Sequence, residues 1–146
     1  MRLSDYSKHL LALAETLHKW AGALAALEGS RREKVARYAD EIANTLGRAS
    51  EALQLLEADP QNRTAERTLI REFGRITGYV ETIMSVLQHH LDGRKLAGVK
   101  RRLEQLRPGL KDPVATAPSA GTDANGLNRL IAADGYFRAL ADGLRT

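Results

Sequence analysis

The sequence predicts an all-α protein: an antiparallel up-down four-helix bundle, then a Pro-rich linker and a C-terminal fifth helix. Three observations predict it. Apolar residues recur at spacings of three and four in four successive segments, which lays one apolar stripe along each helix. No segment alternates apolar and polar with period two, and Val and Ile are sparse, so strands are not expected. Residues that start and stop helices fall between the segments.

The first segment carries Leu3, Tyr6, Leu10, Leu13, Leu17, Trp20, Leu24 and Leu27, with Ser4 as its cap and Glu28 and Gly29 as its end. The second carries Val35, Tyr38, Ile42, Leu46, Ala49, Leu53 and Leu56. Residues 30–33, Ser-Arg-Arg-Glu, read as its capping box. Asp59 stops it, because a residue before proline (here Pro60) resists the helical region. The third carries Leu69, Phe73, Ile76, Val80, Ile83 and Leu87, capped by Asn62 or Thr64. Asp92 and Gly93 break or kink the chain before the fourth, which carries Leu96, Val99, Leu103 and Leu106 and ends at Pro108. Three helices of about 25 residues each span roughly 38 Å, and their short connections force antiparallel neighbours.

Residues 1–107 therefore form the bundle, and residues 108–123, small, Pro-rich and low in charge, form a flexible linker. Residues 124–146 form the last helix, capped by Asp123, with Leu127, Ile131, Phe137, Leu140 and Leu144 facing inward. This helix docks on the bundle or on a partner. A chain of 146 residues is one domain by length and buries about 70% of its unfolded surface. It holds no cysteine, which excludes disulfides and thiolate chemistry. No window approaches 18 apolar residues and the N-terminus lacks the pattern of a signal peptide, so a cytoplasmic protein is expected.

The formal net charge of +4 is unevenly spread. Residues 92–111 hold seven basic and two acidic residues, against fifteen basic and sixteen acidic elsewhere. Arg94, Lys95, Lys100, Arg101 and Arg102 form a candidate anion or partner site on the fourth helix. Arg67, Arg71 and Arg75 make an i, i+4 ladder on the third and Arg31, Arg32, Lys34 and Arg37 cluster at the start of the second; the alternative to a binding surface is solvated faces with some of the basic residues paired to Asp40, Glu41, Glu66 or Glu81. Gly74, Gly78 and Ser85 lie opposite the apolar stripe of the third helix and make a candidate helix-contact face. It would take the fifth helix, a second subunit or a partner.

Catalytic and metal constellations are poor. Glu15 and His18 have the spacing of a carboxylate-bridged metal motif, but they fall off the apolar stripe and no second motif exists. No cofactor and no metal site are expected. From His89 the chain reads His-x-Leu-x-Gly, which resembles the histidine-phosphotransfer motif, itself carried on a four-helix bundle. The resemblance implies a phosphoryl-accepting His89. Asp92 stands where that family has a lysine, and a Pro-rich stretch follows where it has a helical hairpin. The alternative for His89 and His90 is a structural role at a helix C-terminus. The expectation is a non-enzymatic protein-interaction module that captures a partner or self-associates. The first alternative is a regulator binding nucleic acid or an anionic membrane through the fourth helix. The second is phosphotransfer through His89.

Overall fold

The structure, a computed structural model, describes residues 3–88, 93–111 and 124–145. The described residues are helical throughout apart from short connections: α1 (Leu3–Lys19), α2 (Ala21–Ala25), α3 (Gly29–Ala58), α4 (Arg63–Leu87), α5 (Gly93–Lys111) and α6 (Ala124–Arg145). His89, His90, Leu91, Asp92 and residues 112–123 lie outside the described residues, as do the side chains of Leu3, Ser4, Tyr6, Leu103 and Leu106.

The central element is α3, which packs on α4 along one flank and on α6 along the other. That two-sided contact explains its composition. Alongside Val35, Ile42, Leu46, Leu53 and Leu56 it buries Ala36, Ala39, Ala43, Ala49 and Ala52, so small residues widen the buried stripe and let two helices approach. Asp59 adopts an extended backbone (φ −145°, ψ 94°) and ends the helix before Pro60 as expected. Its Oδ1 accepts from the Gln61 N–H at 3.1 Å, and its carbonyl accepts from the Asn62 N–H at 3.0 Å. Asn62 then caps α4 by accepting from the Ala65 N–H at 3.0 Å. Arg48 with Glu72, and Tyr38 with Tyr79, pair as successive rungs about this turn, so α4 runs antiparallel to α3.

The C-terminal helix fills the space between α1 and α3. It buries Leu130, Ala133, Phe137, Leu140, Ala141 and Leu144. Arg138 donates to Asn44 at 2.9 Å, and Arg145 bonds Asp40 and Glu33, so α6 also runs antiparallel to α3. Hydrogen bonds to Glu33 and then Asp40 hold the Arg145 guanidinium above its ordinary pKa. Ile131, expected inside, is 52% exposed. The buried register runs through Leu130 instead, about 100° round the helix, and puts Ala133 and Ala141 where α3 is close. α5 closes the other side by packing on α1 and α4.

Three further expectations are corrected. The first helix does not run unbroken to Leu27. Trp20 (φ −93°, ψ 12°) interrupts it, and only Leu24 of α2 is buried, so little packing holds that turn in line with α1. Residues 30–33 do not form a capping box. Glu28 is the N-cap (φ −51°, ψ 145°), Gly29 starts α3 rather than ending its predecessor, and the Ser30 hydroxyl donates to the Glu28 carboxylate at 2.7 Å. The tight return through residues 26–28 brings the helix start forward, and Arg32 serves it by donating to the Ala25 carbonyl at 3.3 Å. Finally, α5 continues through Pro108 to Lys111, so 108–111 is helix rather than linker. Pro108 removes one N–H from the helix ladder and crowds the carbonyl four residues earlier, a cost confined to the last turn because only three residues of α5 follow it.

Candidate functional site

The cations of α5 are placed by its apolar side. Val99 is buried and Leu96 half-buried against α1 and α4. At 100° per residue this turns Arg94, Lys100 and Arg101 to solvent, while Lys95 and Arg102 flank the seam half-buried. All five predicted basic residues thus share one outward element. Among the described residues no carboxylate pairs with Arg94, Lys100, Arg101 or Arg102. Arg63 and Arg67 of α4 likewise have no paired carboxylate among the described residues, whereas Arg138 is held by Asp134 at 3.0 Å, Arg145 by Glu33 and Asp40, and Arg48 by Glu72 at 3.1 Å. The first turn of α5 carries no acid. Arg94 and Lys95 therefore sit at the positive end of the helix dipole, where cations are disfavoured.

Gly74, Gly78 and Ser85 are exposed on the outer side of α4, and a methyl group added at either glycine meets nothing within 4 Å. α6 does not cover them, because it is occupied between α1 and α3. Of the three occupants expected for this face, the chain's own last helix is removed. His89 lies outside the described residues. Glu15 is half-buried and His18 exposed, with its ring edge-on to Tyr136 at 5.5 Å. Among the described residues no three His, Cys, Asp or Glu side chains converge as a metal site would require. No helix among them is long and apolar enough to cross a membrane.

The sequence reading missed one cluster. Glu72 is buried in α4, and its side chain is 1% exposed. Its Oε2 accepts from Arg48 Nε at 3.1 Å, while Oε1 lies 3.6 Å from Arg71 Nε and 3.9 Å from an Arg75 terminal nitrogen. Glu72 was not among the acids expected to pair with basic residues. The signal was available: Glu72 follows Leu69 by three and precedes Ile76 by four, so it interrupts the apolar stripe. About two helical turns further along the α3–α4 pair, Tyr38 and Tyr79 meet at 5.7 Å, and the Arg37 guanidinium stacks over Tyr38 at 5.3 Å. No protein family, curated protein or solved structure matches the chain.

Proposed function

We propose that the chain is a non-enzymatic interaction module that captures an acidic protein partner on the outer face of α5. One observation supports this most directly: Arg94, Lys100 and Arg101 face solvent with no carboxylate among the described residues to offset them. A helix that leaves Arg94, Lys100 and Arg101 without paired carboxylates, Arg94 at the disfavoured end of its dipole, gives up stability that an acidic partner returns. The supporting scaffold is read as an up-down bundle, in line with the antiparallel contacts of α4 and α6 with α3.

The same cations suit nucleic acid or an anionic membrane, and this is the second reading. A titration separates the two. The chain is mixed with an acidic peptide, a duplex oligonucleotide and vesicles containing phosphatidylserine, at about 50 mM salt and again at several-fold more. Tightest binding to the peptide, weakened about tenfold or more in Arg94→Glu/Arg101→Glu, is the expected result. Preference for the oligonucleotide or the vesicles replaces the first reading by the second. No salt-dependent binding to any of the three removes both. Phosphotransfer rests on His89 alone, which lies outside the described residues.

A further inference from the structure

The seam between α3 and α4 carries a second concentration of positive charge, separate from α5 and built differently. A single buried carboxylate, Glu72, faces three guanidiniums. Only Arg48 is within hydrogen-bonding distance of it, at 3.1 Å. A second bond holds Arg48 from the other side, because its terminal nitrogen donates to Thr45 Oγ1 at 3.1 Å. The Thr45 hydroxyl in turn donates to the Glu41 carbonyl at 2.6 Å. Arg48 is thereby fixed in place.

Arg71 and Arg75 stand differently. At 3.6 and 3.9 Å from Oε1 they feel the charge of Glu72 without bonding to it. Their side chains are 64% and 49% exposed. A guanidinium carries five N–H donors in a planar fork, so most of the donors on these two remain turned outward. The carboxylate offsets one of three positive charges and leaves an excess of two. It also gathers guanidiniums that would otherwise repel one another and spread into solvent.

We propose that Arg71 and Arg75, aligned over Glu72, form a binding site for a doubly charged phosphate group. The charge balance selects that chemistry. A dianion cancels the excess of two, whereas a carboxylate or a phosphodiester cancels half of it. A tetrahedral phosphate also offers several acceptor oxygens to two forks at once, which chloride does not. Glu72 and Arg48 are positioning residues in this site; Arg71 and Arg75 contact the ligand. Free phosphate and a phosphorylated side chain of another protein present the same group. The proposal stands independently of the acidic partner assigned to α5.

The test is titration of the full chain with inorganic phosphate at fixed ionic strength, held with sodium chloride and followed through the arginine Nε–Hε resonances. In parallel, a phosphoserine peptide and its unphosphorylated form are titrated. Saturable shifts confined to Arg48, Arg71 and Arg75 are expected. Affinity should fall about tenfold or more in Arg71→Lys/Arg75→Lys, which keeps the charge and loses the forks. These side chains are half or more exposed, so the variant keeps its fold, checked by circular dichroism. Arg94→Glu/Arg101→Glu should leave the shifts intact. Tighter binding of the phosphopeptide than of phosphate assigns the group to a protein, and the reverse assigns it to a free ion. Shifts of equal size at Arg63 or Arg94, or titrations unchanged by the lysine variant, overturn the site.

Discussion

Glu72 occupies a position that the helix periodicity reserves for an apolar side chain. Burying a carboxylate costs several kcal/mol unless charge and hydrogen bonds compensate, and removal of one partner is worse than removal of both. The arginines around Glu72 are 42–64% exposed, so they rehydrate if the carboxylate is lost. Glu72 does not rehydrate if Arg48 is lost. Glu72→Met should therefore leave stability within about 1 kcal/mol of the parent, whereas Arg48→Met should lower it by about 1–3 kcal/mol. Urea unfolding of both variants measures the difference. Equal losses would show that the carboxylate is as well solvated as its partners.

At the scale of single helices, α5 is defined by what it lacks. Its first turn holds no acidic residue to set against the cations. Arg94→Glu places an anion at the favoured end of the dipole, so it should raise stability by about 0.3–1 kcal/mol while weakening capture of an acidic peptide. A gain in one with a loss in the other, read by thermal unfolding and by binding, would mark a residue kept for contact rather than for folding. A fall in stability would mean that Arg94 has a structural role.

The helices themselves were legible because each stripe is long. Leu69, Phe73, Ile76, Val80, Ile83 and Leu87 are all buried, as their spacing demands. Their ends were less so. Ser30 and Glu33 match a capping pattern, yet burial of Leu27 and the short return through Glu28 start α3 earlier. Tertiary packing decides such competitions, and a local pattern does not contain it. The orientation of α5 was legible from the apolar spacing of Leu96 and Val99, which the structure turns inward. The cluster at Glu72 was not, because Arg48 lies on another helix, 24 residues earlier in the chain. Nothing local pairs them.

For the molecule as a whole, the decisive element is α6. It lines the interior from the chain's far end with Phe137, Leu130 and Leu140 and covers the alanine flank of α3. Removal of residues 124–146 would uncover α3 and α1 together. The shortened chain should lose cooperative unfolding and bind hydrophobic dyes, as measured by urea titration and fluorescence. A shortened chain that unfolds as sharply as the parent would show that residues 1–123 stand alone.

This arrangement orders events during synthesis. The α3 and α4 hairpin is local in sequence and can form as soon as both helices have left the ribosome. α1 cannot settle so early, because one of its two long-helix neighbours, α6, is translated after α3, α4 and α5. α1 therefore waits, part of its apolar side uncovered, until α6 has been made, and in that interval it offers a chaperone an apolar face.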